Sequence, residues 1–279
     1  MPTFVSYDGT ELDYHVLGTG RPLLCVPGGP GRAAAYLGNL GGLDTSRQLV
    51  LLDPRGVGDS PDPADPTTFR VDRLVADLDA LRAHLGLDRM DLLAHSAGAI
   101  LGTLYAAAHP DRVANLALIT PNLAAIDVHG TDDELAAALR NRAGEPWYAS
   151  ARAALDKILG GDLTLATFHE SRPLFYGRWD DAARAHAGVG IAERHVAARE
   201  GYFAGVTLDA PATKAALTEL TAPVLLYAGE LDAMVTPATL RTAIPRFPDA
   251  TVVVGAGAGH FPWVDDPTGF AAAVNAFLG

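Results

Sequence analysis

The sequence predicts an α/β fold, a mostly parallel doubly wound sheet with a helical cap inserted after the sixth strand. Three observations lead there. Short apolar runs of strand length alternate with helical patterns over most of the chain. Those runs are apolar on both faces, as parallel strands covered by helices on each side must be. In the middle, between about residues 122 and 216, the strand pattern disappears and then resumes.

The elements follow in order. Asp8-Gly9, flanked by "TFVSY" and "TELDYHVL", signals a hairpin, because a tight primed turn needs the positive φ that glycine tolerates. "PLLCVPG" and "QLVLLDP" read as buried strands. "RVDRLVADLDALRAHLG" spaces Val71, Leu74, Val75, Leu78, Leu81 and Leu85 as one face of a helix closed by Gly86. Strand "RMDLLAH", helix "AGAILGTLYAAAH" stopped by Pro110, and strand "VANLALIT" come next. After the middle region, "APVLLYAG" and "ATVVVGAG" are strands. Thr236-Pro237 starts a helix between them, and "PTGFAAAVNAFL" is the last helix. In the middle region "DDELAAALRNRAG" and "WYASARAALDKILGG" are the clearest helices, followed by the aromatic cluster "PLFYGRW". The expected division is therefore a core of residues 1–121 and 217–279 with a cap of residues 122–216.

Composition limits the function classes. A net charge of −12, with 49% hydrophobic and 19% charged residues, describes a globular chain rather than a nucleic-acid groove or a partner for anionic membranes. The single cysteine, Cys25, lies inside an apolar strand and excludes an internal disulfide. No basic region followed by an apolar stretch opens the sequence, and no run approaches a spanning helix, so a cytoplasmic location is expected. Arginine far outnumbers lysine, a bias expected of a high-GC bacterial genome.

"MDLLAHSAGAI" places a polar pair, His95-Ser96, between two apolar runs. Ser96 falls where a strand ends and a helix begins, with Ala94, Ala97 and Gly98 small enough for a sharp turn. Such an elbow lifts Oγ to the carboxyl edge of the sheet, above a helix N-terminus. A plain helix N-cap serine would give the same letters. A nucleophilic hydroxyl needs a base and the base an orienting acid. Asp232 follows one strand in "LLYAGELD", and His260 follows the last in "VVVGAGAGH". Directly after a strand, "VPGGPG" supplies backbone donors for an oxyanion, assigned to the N–H groups of Gly29 and Ala97. Neither Gly-Lys-Ser/Thr nor G-x-G-x-x-G follows those glycines, which argues against a phosphate loop.

On "GGPG" (Gly28 to Gly31), "DPRGVGDS" (Asp53 to Ser60), "AHSAG" (Ala94 to Gly98), "GELD" (Gly229 to Asp232) and "GAGHFPW" (Gly257 to Trp263), the chain resembles the α/β-hydrolase family, in particular its proline iminopeptidase branch. The resemblance covers the core and is vague in the cap. It implies acyl transfer by Ser96, His260 and Asp232, and the serine distinguishes the chain from relatives with an aspartate nucleophile. Pro27 replaces the branch's histidine before Gly-Gly-Pro-Gly, Pro54 its glutamine, and Ala94 the first glycine of its elbow.

That resemblance also implies a cap glutamate that holds a substrate amine; Glu200 in "REGYF" is the nearest match, offset by one residue, with a surface helix position as the bland alternative. Trp179 and Tyr202 are candidate pocket residues or else core of the cap. His95 is given no direct chemistry, and Asp53 and Arg55 are read as loop braces. The remaining histidines lack metal-ligand spacing, so no metal or other cofactor is expected. The expected partner is a small-molecule or short-peptide substrate, with no nucleic acid and no membrane; the oligomeric state is not legible. Open readings of the chemistry are a prolyl aminopeptidase, an esterase, lactonase or thioesterase, a triad-based lyase or cyclase, and a ligand receptor.

Overall fold

The computed structural model describes residues 1–162, 164–189 and 195–279. Its strands are β1 (Thr3–Val5), β2 (Glu11–Leu17), β3 (Pro22–Val26), β4 (Gln48–Leu52), β5 (Met90–His95), β6 (Val113–Ile119), β7 (Val224–Gly229) and β8 (Ala250–Gly255). They form one sheet in the order β1-β2-β4-β3-β5-β6-β7-β8. β2 runs antiparallel to both β1 and β4, and every later pairing is parallel. Strand order reverses beside β3 and β5, so the loops leaving these two strands diverge and open a crevice at the carboxyl edge.

The period-2 geometry of the strands divides their apolar residues between two cores. Leu24, Val26, Leu92, Ala94, Leu116 and Leu118 face one side, with α1 (Val71–His84) and α2 (Gly98–Ala108). Leu23, Cys25, Leu93, Ala117, Ile119 and Tyr227 face the other. Cys25 is fully buried there, which pushes its thiol pKa up and leaves it an apolar filler.

Between β6 and β7 run α3 (Asp132–Arg140), α4 (Tyr148–Leu159), α5 (Leu165–Ser171), α6 (Asp181–Gly188), α7 (Val196–Gly201) and α8 (Ala210–Leu217). α3 is fixed by a capping box in which Thr131 accepts from the Glu134 N–H and Glu134 accepts from that of Thr131. Leu139, Ala151, Leu155 and Leu174 give this segment a small core of its own, closed by Ala233. Its two ends, Leu123 to Ile126 and Leu217, belong instead to the core under the sheet, and α8 packs against α2. The chain closes with α9 (Pro237–Ala243), α10 (Pro262–Asp265) and α11 (Pro267–Leu278). Among the described residues no helix is long and apolar enough to cross a membrane.

One buried ion network ties the loop after β4 to the first hairpin. Arg55, fully buried, donates to both carboxylate oxygens of Asp77 on α1, at 2.8 and 2.6 Å, and to Asp8 in the hairpin turn at 2.6 and 3.1 Å. The Arg55 hydrogen bonds hold Asp8 down at about 2, below its ordinary carboxylate value. A depressed carboxylate contributes stability above its unfolded pKa and loses it as pH falls through the folded one. Asp8→Asn keeps the Thr10 N–H contact of the turn but removes the charge. Urea denaturation is expected to show the variant less stable by about 1 kcal/mol at pH 7, the side chain being partly solvent-screened. That gap should narrow by roughly half by pH 3; a gap independent of pH would contradict the assignment.

Candidate active site

At the crevice the chain turns from β5 into α2 through Ser96, whose φ is +53°. A serine in the left-handed region costs on the order of 1 kcal/mol or more, and its surroundings must hold it there. The Ser96 N–H donates to Ile119 O at 3.0 Å, while its carbonyl accepts from Ala99 N and Asn122 N at 3.0 and 2.9 Å. Gly98 opens α2 against the preceding loop so closely that a Cβ would lie 2.4 Å from Pro27 O. The alanine at position 94 fits because Gly102 faces it, where a Cβ would stand 3.0 Å from that of Ala94.

This turn brings Oγ of Ser96 to 2.9 Å from His260 Nε2, and His260 Nδ1 lies 2.9 Å from Asp232 Oδ2. Asp232 is wholly buried, and its other oxygen accepts from Met234 N at 2.8 Å. A carboxylate so placed can only accept, which puts the proton on Nδ1 and leaves Nε2 free to receive one from Ser96. Gly29 lies beside Ser96 in the cavity wall and Ala97 caps α2. Among the described residues, neither Gly29 N–H nor Ala97 N–H donates to a protein acceptor. Ser96, His260 and Gly29 thus line one cavity of about 420 Å³, with Asp232 buried behind His260 and Ala97 next to Ser96 in the chain.

With this geometry in place, the comparisons are decisive on family. The family model for the alpha/beta hydrolase fold matches residues 21–267. The chain belongs to that family. A proline iminopeptidase of Heyndrickxia coagulans is 36% identical over 108 residues, which span 39% of this chain and 38% of that protein. A haloalkane dehalogenase of Sphingobium indicum is 28% identical over 99% of this chain and 94% of its own. The crystal structure of a Mycobacterium smegmatis proline iminopeptidase superposes with a TM-score of 0.72 at 26% identity, covering 99% and 97% of the two chains. This alpha/beta hydrolase is therefore an enzyme of hydrolase type, similar to proline iminopeptidases.

Three sequence candidates for substrate contact lie elsewhere. Glu200 projects into solvent from α7, its side chain 69% exposed, with Arg199 as its ion-pair partner at 3.9 Å. The helix turns Arg199, not Glu200, toward the cavity. Trp179 stacks on Tyr176 at 5.4 Å outside the cavity, because Arg178-Trp179 has already turned away toward α10. Tyr202 is buried behind the elbow and donates to Ala97 O at 3.0 Å, so it braces α2 instead of lining the pocket. Asp53 accepts from Ala34 N at 2.7 Å and pairs with His15 at 2.8 Å, bracing the loop after β3. Among the described residues, His15, Asp53 and Asp59 form the one group with possible metal-ligand proximity; it lies away from the cavity, and those contacts occupy Asp53.

Sequence reasoning missed how His260 is held. Its carbonyl accepts from His95 Nε2 and from Thr120 Oγ, both at 3.0 Å. A carbonyl cannot donate, so His95 carries its proton on Nε2, and burial keeps the ring neutral with a pKa well below the ordinary value. His95 Nδ1 must then accept from Tyr36 OH at 2.8 Å, and Tyr36 in turn accepts from Gly28 N–H at 2.6 Å. One hydrogen-bond chain of fixed polarity therefore runs from the glycine loop to the histidine. The inserted segment holds His260 from the other side: its N–H donates to Phe175 O at 2.8 Å. Asp265 clamps both loops, accepting from Gly259 N at 2.7 Å and Gly177 N at 2.9 Å. A Cβ on Gly259 would sit 2.7 Å from Phe175 O, so only glycine permits this backbone-to-backbone approach.

Tyr36→Phe removes the middle of that chain and leaves a buried N–H and a buried imidazole nitrogen unpaired. Steady-state kinetics should show kcat reduced about 10- to 100-fold with KM little changed, the pattern of a positioning residue. Unaltered kcat would show that the chain does not position the site.

Proposed function

We propose that this hydrolase cleaves an ester or amide bond of a small substrate through an acyl-enzyme on Ser96. The observation that carries the reading is the Asp232–His260–Ser96 hydrogen-bond chain, 2.9 Å at both links, ending at a strained elbow open to the cavity. His260 Nε2 takes the Ser96 proton as Oγ attacks the carbonyl carbon. The N–H groups of Gly29 and Ala97 receive the oxyanion. The imidazolium, stabilised by Asp232, then protonates the leaving group; water, deprotonated by His260, releases the acid. In this reading residues 122–216 form a cap that encloses the substrate, with α3, α4 and α5 supplying much of the apolar wall through Leu135, Leu155, Ile158 and Phe168.

Between ester and prolyl amide, the lining favours the ester class, lactones and thioesters included. Recognition of a substrate amine asks for a carboxylate in the pocket, yet Glu200 faces solvent, and Asp132 is the one acidic side chain among the described lining residues. Similarity to proline iminopeptidases supports the amide alternative. A hydroxyl at the elbow, in place of a carboxylate, sets the chain apart from dehalogenase chemistry.

Wild type and Ser96→Ala, each given a short-chain 4-nitrophenyl ester and an L-prolyl anilide, test the scheme. Ester cleavage should exceed anilide cleavage, and the substitution should lower kcat by on the order of 10⁴ to 10⁶. Near-normal turnover in the variant would overturn the mechanism, and preferential anilide cleavage the substrate class.

A further inference from the structure

The cavity reverses the sign of the protein around it. The chain carries a net charge of −12, yet Arg32, Arg172 and Arg199 line the pocket against a single exposed carboxylate, that of Asp132, among the described residues. The three guanidiniums are not equivalent. Arg199 already pairs with Glu200 in solvent. Arg32 stacks 3.7 Å from the Tyr36 ring centroid and donates to Val189 O at 3.0 Å. Arg172 is more than nine-tenths buried and lies over the Phe168 ring at 5.2 Å, and its guanidinium makes no ion pair or hydrogen bond with the described residues.

Its position follows from the short 3₁₀ turn Arg172–Phe175. In a 3₁₀ turn, side chains three apart eclipse, so Arg172 and Phe175 share one face, and both line the cavity. Phe175 meets the His260 ring edge-on at 6.2 Å. Arg32 also lines the cavity, three residues past Gly29, where an added Cβ would lie 3.0 Å from that of Arg32. Burial lowers the Arg172 pKa, and the nearby Arg32 charge acts in the same direction. A guanidinium held in an apolar enclosure with no counter-ion among the described residues, as Arg172 is, is destabilising unless an anion joins it.

Resting on the serine-hydrolase reading, we propose that Arg172 binds a carboxylate carried by the substrate, so that the preferred substrates are acidic esters or lactones. A planar carboxylate suits a guanidinium fork, and Phe168 and Leu155 would pack the carbon chain between that anchor and the reacting carbonyl. The proposal fits a pocket whose described lining carries one carboxylate, that of Asp132, against several guanidiniums.

Two matched substrate pairs test it. Mono-4-nitrophenyl glutarate against 4-nitrophenyl pentanoate places the carboxylate on the acyl side; 4-butyryloxybenzoate against phenyl butyrate places it on the leaving group. Wild type should favour the charged member of at least one pair by 10-fold or more in kcat/KM. Arg172→Met should cut that charged-to-neutral ratio about 10- to 100-fold, and Arg172→Lys should restore part of it. Ser96-dependent turnover with no charged preference in wild type, or with a preference that survives Arg172→Met, would overturn the carboxylate site and leave the hydrolase intact. Should the Met variant fold poorly, the wild-type ratio and the Lys variant decide. Turnover independent of Ser96 on every substrate would instead remove the underlying mechanism.

Discussion

The reversal of chain direction at Ser96 is the constraint on which the rest of the site depends. A strand buried on both faces must end, place one residue in the left-handed region, and start a helix within two residues. That geometry is affordable only where the neighbours are small and the freed backbone groups find partners. Gly98 meets Pro27 O, Gly102 leaves room for Ala94, and Ile119, Asn122 and Ala99 take up the polar groups of Ser96. The same crowding presses the glycine loop after β3 against the elbow: a Cβ on Gly28 would lie 2.8 Å from Ser96 Cβ. Ser96 and the proposed oxyanion donors are thus set by one packing arrangement.

The histidine is positioned by a different means. His260 sits on a loop, and loops are mobile unless tied. Here the ties come from three directions: the buried Tyr36–His95 chain from the sheet side, Thr120 at the end of β6, and Phe175 with Asp265 from the inserted segment. Thr120, β-branched, is itself held at a φ of +41°. Strain at both Ser96 and Thr120, the residues that flank His260, is what a preorganised site stores. Because Phe175 O accepts the His260 N–H, the segment that lines the cavity also positions His260, the proposed base, which would couple pocket shape to chemistry.

Much of this was legible in the sequence, for identifiable reasons. Strands buried on both faces wrote themselves as continuous apolar runs, and Ser96, Asp232 and His260 stood at strand ends where parallel topology gathers residues. The hairpin at Gly9 and the helix from Val71 came from equally local rules. Cap contacts were not legible, since they depend on the rotation of short helices. A single residue of rotation on α7 turned Arg199 inward and Glu200 outward, and the hold of Phe175 on the His260 loop could not be read because backbone contacts leave no side-chain pattern. Tyr36 stood in no motif; its role is fixed by distances to Gly28 and His95 that only the fold supplies.

The central claim is a nucleophilic Ser96 activated by His260, and covalent trapping tests it most directly. A fluorophosphonate probe incubated with wild type, Ser96→Ala and His260→Ala, followed by peptide mass spectrometry, reads the modified atom without reference to any natural substrate. The account predicts one adduct, on the peptide containing Ser96, formed in wild type, absent in Ser96→Ala and strongly slowed in His260→Ala. An adduct on another residue, or labelling of Ser96 at the same rate without the His260 imidazole, would contradict it.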